Sequence, residues 1–166
     1  MVMHRLRTKQ QGGGGKTTKN NAVRLPVNFH QNIRFLFGNL TPRQTERFIE
    51  EVWMNGHRSV DRILFLKIRM EIEGLDSADS YSKLRSIQKK GEKYRFRLVK
   101  HGNNGKTLML PSAYHEAWRK TFGYLDAPEA VLLLGKIFKS RKKTWTWPQI
   151  RQLKAEIQAN VFQGRK

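Results

Sequence analysis

Histidine, cysteine and the carboxylates are where chemistry near neutral pH would be looked for first. The chain has His4, His30, His57, His101 and His115, and no two of them stand at a paired-ligand spacing such as H-x-x-H. It has no cysteine, so thiolate ligands, thiol nucleophiles and disulfides are excluded, and a zinc site or other metal is not expected. Glu71 and Glu73 share one face of a predicted strand with Lys67 and Arg69. That arrangement balances charge and does not point to acid–base work. No catalytic residue and no cofactor are assigned. A metal-dependent nuclease assembled from distant Asp and Glu residues stands as a second alternative, since such residues can converge in a fold.

Two segments imitate a phosphate-binding loop, whose pattern is G-x-x-x-x-G-K-[ST] between a strand and a helix. Gly15-Lys16-Thr17 would need glycine where Gln10 stands, and a polar stretch precedes it. Gly105-Lys106-Thr107 has Lys100 at the first glycine position and runs into Leu108-Met109-Leu110-Pro111, which reads as a strand. The first is read as a flexible linker and the second as a hairpin turn.

Surplus positive charge is the stronger signal. The chain of 166 residues has 33 Lys and Arg against 13 Asp and Glu, a net charge of +20. Solubility alone asks for about 2–8 charges in a small domain. A larger excess repels itself unless a polyanion neutralises it, and nucleic acid is the usual one, because each neutralised phosphate releases a counterion. The charge is also zoned. No acidic residue precedes Glu46, the stretch 46–79 is slightly acidic, and 80–125 and 136–166 are again strongly basic. We read 46–79 as scaffold or self-association surface and the flanks as the polyanion footprint. No run of 18 apolar residues occurs, so neither a membrane span nor a membrane partner is expected. Nothing gives an address more specific than an intracellular one, in cytoplasm, nucleoid or nucleus.

The elements that would position these cations follow from periodicity and caps. Residues 1–22 read as a flexible, disordered basic tail, with Gly12 to Gly15 at its centre and Arg5, Arg7, Lys9, Lys16 and Lys19 able to follow a phosphate backbone. A single domain then spans 23–166. Phe29, Ile33, Leu36 and Phe37 predict a short helix ending at Gly38, and Thr41-Pro42 opens another that stops at Gly56. Leu66, Ile68, Met70 and Ile72 alternate with charged residues, which predicts a strand over about 64–73. Ser80–Lys90 reads as a short helix. A second alternation, at Tyr94, Phe96 and Leu98, predicts a strand over 93–100 with Lys93, Arg95 and Arg97 outward, beside Lys67 and Arg69 of the neighbouring strand. The turn at 101–105 leads to a return strand at 106–110. Helices follow from Ser112, from Asp126-Ala127-Pro128-Glu129 and from Trp147-Pro148. No internal repeat is visible. The expected fold is α+β, mostly helical, with a three-stranded antiparallel sheet.

Two contact surfaces are therefore expected. Lys93, Arg95, Arg97, Lys100 and Lys106 form a basic hairpin face that can lie on phosphates or enter a groove. Lys139, Arg141, Lys142 and Lys143 form a second, with Trp145 free to stack on a base or to anchor the last helix, as Trp147 would. The stretch Leu98 to Gly123 (LVKHGNNGKTLMLPSAYHEAWRKTFG) resembles the hairpin of swapped-hairpin DNA-binding regulators and antitoxins. The resemblance implies that Lys100, Asn103, Asn104 and Lys106 lie near DNA. It covers under a sixth of the chain, and its spacing from turn to Pro111 differs slightly. The reading is a DNA-binding regulatory or architectural protein, with a homodimer on paired half-sites as one expected assembly. The alternative is an RNA-binding protein, viral or ribosome-associated.

Overall fold

Helix boundaries fall where capping chemistry puts them. In the computed structural model, which describes residues 1–5, 22–74, 95–103 and 105–164, helix α1 (Val27–Phe37) ends at Gly38 with φ of 57°. That value lies in the region where glycine carries no side-chain penalty. Helix α2 (Pro42–Ile49) starts at a reciprocal cap. Thr41 Oγ1 accepts from the Gln44 N–H at 3.2 Å, and Gln44 Oε1 accepts from the Thr41 N–H at 2.9 Å. It continues as a π-helical turn, Glu50–Met54. We expect Thr41→Ala to cost about 1 kcal/mol, read as a lowered urea midpoint with an unchanged slope.

The stretch predicted to be a strand over 64–73 is instead helix α3 (Arg62–Glu73), capped by Asp61, whose Oδ1 accepts from the Leu64 N–H at 2.8 Å. Arg69, half-buried, lies beside the buried Phe65, Leu66 and Ile68 on the core-facing side of α3. That guanidinium donates from Nη1 to the carbonyls of Phe35 (3.0 Å) and Leu36 (3.2 Å), at the C-terminus of α1. A cation inside the core-facing stripe makes a helix look like an alternating strand in sequence.

The fold is α+β, but the three-stranded sheet is not formed as expected. Strands β1 (Val2–Arg5) and β2 (Ala22–Leu25) pair antiparallel, and so do β3 (Leu98–Asn103) and β4 (Lys106–Pro111). Residues 2–5, assigned from sequence to the flexible tail, thus belong to a hairpin. Strand β3 starts at Leu98, not Lys93, because the carbonyls of Arg95 and Arg97 turn to accept from the Ala113 and Ser112 N–H groups at the start of the next helix (2.6 and 2.8 Å). Lys93 itself, the Ser80–Lys90 helix and residues 6–21 lie outside the described residues. The second partner of β4 is the segment 58–60, bridged parallel through Ser59 and Met109. Strand β2 has the same kind of partner, Thr144 beside Arg24.

The remaining helices among the described residues are α4 (Ser112–Phe122), α5 (Ala127–Phe138) and α6 (Trp147–Gly164). Together with the strands they reveal a duplication. The interval from Leu25 to Leu110 also separates the first residues of α1 and α4, of α2 and α5, and of α3 and α6. It relates Pro26 to Pro111, His30 to His115, Arg34 to Arg119, Gly38 to Gly123, Leu40 to Leu125 and the bridging residue Ser59 to Thr144. The backbone repeats with it: Gly38 N–H donates to Arg34 O and Gly123 N–H to Arg119 O (2.8 and 2.9 Å).

The two halves are related by a pseudo-two-fold axis. Equivalent helices pack on each other, α1 on α4 and α2 on α5, and the equivalent rings of Phe37 and Phe122 lie 6.2 Å apart. Asn103 ties the end of α2 to the start of α5, donating to Trp53 O at 2.7 Å and accepting from the Ala127 N–H at 3.0 Å. Each hairpin is completed by a segment from the other half. The shared core includes Phe29, Phe37, Phe48, Phe65, Trp118 and Phe122, all essentially without solvent contact.

Candidate nucleic-acid interface

Each hairpin and its crossing segment form a ribbon with a core face and a solvent face. In the second ribbon, His101, Leu108 and Val60 turn inward and are buried. Lys100, Met109 and Ser59 are register partners and so form a row on the opposite face, with Lys100 and Ser59 exposed. In the first ribbon the equivalent row is Met3, Arg24 and Thr144, all exposed. Arg24 was not among the expected contact residues. Its N–H donates to Lys143 O at 2.7 Å, which sets it beside Lys142 and Lys143. Arg58 likewise joins the second ribbon, its carbonyl accepting from the Met109 N–H at 2.9 Å. Parallel pairing between distant segments leaves no local mark in the sequence.

Of the expected hairpin cations, Arg95, Arg97, Lys100 and Lys106 are exposed. Arg95 and Arg97 precede the strand and border the start of α4. The Arg95 guanidinium lies 5.9 Å from the Phe35 ring and 5.8 Å from that of Phe96, and Arg62 covers Phe96 at 3.6 Å. Lys139, Arg141 and Lys142 are exposed, and Lys143 is half-buried. Arg5 lies in β1, opposite Ala22. Arg7, Lys9, Lys16, Lys19, Lys93 and Asn104 lie outside the described residues. Asn103, placed near DNA by the hairpin resemblance, has its amide engaged within the fold.

Trp145 does not offer a stacking face. It is 9% exposed, belongs to the core cluster and carries the Lys142 ammonium 5.0 Å from its ring. The anchoring role weighed for it is the one the fold uses. Trp147 also packs on the core, edge-on to Phe29 at 5.7 Å. An exposed aromatic lies elsewhere: Tyr124 is 82% exposed, with the Arg119 guanidinium 4.8 Å from its ring.

The histidines, unpaired in sequence, are paired in space. His101 and His115 approach Nδ1 to Nδ1 at 3.0 Å, so one ring must donate while the other accepts. Their equivalents, His4 and His30, lie edge to face with centroids 5.3 Å apart. The inner ring of each pair also meets an aromatic from the opposite half: His4 stacks on Phe138 at 5.2 Å, and His101 lies 6.3 Å from Trp53. Burial, with the neighbouring histidine and arginine charges, lowers His4 to about 4 and His101 to about 3. His30 and His115 are lowered too, chiefly by burial and then by Arg34 and Arg119. Among the described residues no group of three or more His, Cys, Asp or Glu side chains is placed to hold a metal ion.

The chain matches no protein family, no curated protein and no solved structure in the comparisons made. No helix among the described residues is long and apolar enough to cross a membrane.

Proposed function

We propose that this protein binds nucleic acid, with duplex DNA as the preferred form and a regulatory or architectural role. The observation that carries the reading is a net charge of +20, part of it displayed as exposed cations on and beside two ribbons: Arg24 and Lys142 at the first, Arg58, Lys100 and Lys106 at the second. Strands hold the backbone of these side chains fixed, so less ordering is needed when phosphates arrive. With Trp145 buried, the basic segment 139–143 neutralises phosphates without stacking on bases.

Affinity for a short duplex should then fall steeply with salt, on the order of a thousandfold between 50 and 200 mM if about six phosphates are contacted. Lys100→Glu with Lys106→Glu should weaken binding at least tenfold. Arg43→Glu with Arg47→Glu, on exposed positions of α2, should change it less than threefold. Equal losses would place the contact surface elsewhere.

RNA is the second reading, and Tyr124 favours it. An exposed ring with an adjacent guanidinium suits stacking on an unpaired base. Competition at one salt concentration among duplex DNA, duplex RNA and single strands separates the two. A tenfold preference for RNA, abolished by Tyr124→Ala, would replace the DNA reading.

A further inference from the structure

We infer that one chain spans a duplex by itself, with the pseudo-two-fold axis of the protein laid on a two-fold axis of the nucleic acid. The inference rests on the nucleic-acid reading above and gives it a geometry. Two half-sites are ordinarily met by a homodimer, whose symmetry the site mirrors. Here the two halves are in one chain. Each ribbon contains a segment of the other half, 143–145 beside β2 and 58–60 beside β4. The ribbons therefore cannot shift independently without unpairing.

Charge follows the same symmetry. Arg58 and Lys143 are equivalent residues, each immediately before the residue that bridges to the other half's hairpin. Arg34 and Arg119 are a second basic pair at matched positions on α1 and α4. A rigid polyanion meets two symmetry-related cationic surfaces in the same way only if it has a two-fold axis of its own. The two antiparallel backbones of a duplex supply one at every base pair. A single strand has a direction and supplies none. The halves have nonetheless diverged in strength: Met54, Gly56 and His57 stand where the second half has Lys139, Arg141 and Lys142. The two contacts should thus agree in position and differ in salt sensitivity.

Because the chain has no cysteine, single-thiol variants report cleanly. Ser59→Cys and Thr144→Cys place a thiol at equivalent, exposed points of the two ribbons. Each variant is coupled to an iron–EDTA cleavage reagent and bound to a short self-complementary DNA duplex, with the stoichiometry measured by titration. If the axes coincide, one chain occupies each duplex and the two variants cut the same positions, counted from the strand end. The same chains should bind a single strand of equal length at least tenfold more weakly. Different cut positions with one chain bound, two chains per duplex, or binding without cutting by either variant would each overturn the two-fold arrangement while leaving nucleic-acid binding intact. Absence of binding to duplex and single strand alike would remove the underlying reading instead.

Discussion

Trp118→Ala is expected to destabilise the protein by about 3–5 kcal/mol, the range for emptying a large aromatic site in a packed core. Trp118 is 0% exposed. Its ring stacks on Trp53 with centroids 4.5 Å apart, tilts against Phe122 at 4.5 Å and meets His101 edge-on at 5.5 Å. Its Nε1 donates to Leu125 O at 3.3 Å. Trp53 belongs to the first half and Trp118 to the second, so the cavity would open at the seam between them. Surrounding side chains can collapse only partly, because Trp53 is held by the Asn103 bond to its own carbonyl. Urea unfolding followed by circular dichroism reads the loss. Trp118→Phe should recover more than half of it by restoring most of the volume without the hydrogen bond. A loss below 1 kcal/mol for the alanine variant would mean that the seam is not packed as described.

The residue types that end and begin helices were legible in the sequence, because caps are local. Thr41-Pro42, Gly38, Gly123 and Asp126-Pro128-Glu129 stop or start helices within a residue or two of where they stand. Helix α3 was not legible, since Arg69 sits where an apolar residue would have shown the period. The duplication was hidden by exchange of bulk between halves. Ile33 faces the position of Trp118 in the repeat, Phe29 that of Tyr114, Trp53 that of Phe138, and Phe65 that of Ile150. A core can keep its total volume while its members trade size. Among the residues that stayed identical are the chain's punctuation, Pro26 with Pro111 and Gly38 with Gly123, and His30 with His115, Arg34 with Arg119 and Phe37 with Phe122. The cations of the candidate interface were legible by type. Their grouping was not, because Arg24 meets Lys143, and Arg58 meets Met109, only through pairing of segments far apart in sequence. Alternation puts Arg95 and Arg97 in a strand, yet the start of α4 draws their carbonyls away from the ladder.

Acid should unfold this protein earlier than its excess charge alone would, and the inner histidines set the window. His4 and His101 are ordinary histidines of pKa near 6.5 in the unfolded chain and lie at about 4 and about 3 in the folded one. Below 6.5 the unfolded state therefore binds the protons first. Stability is full above that value and is lost as pH falls toward the folded values, at about 1.4 kcal/mol per pH unit for each group. Two such groups remove about 5 kcal/mol between pH 6.5 and 4.5. Geometry adds a reason for the depressed values. A protonated His101 would lie close to the Arg119 guanidinium and to a second ionisable ring, His115, and a protonated His4 close to His30 and the Arg34 guanidinium. No carboxylate is among the causes that set either value, so nothing offsets the lowering. Urea midpoints at pH 7.5 and 4.5 measure the effect. The double variant His4→Asn, His101→Asn keeps neutral, hydrogen-bonding side chains at both sites. Weaker at neutral pH, it should nevertheless lose much less than the parent on acidification. An equal loss in parent and variant would assign the acid sensitivity to other groups and leave the two histidine pairs with a packing role only.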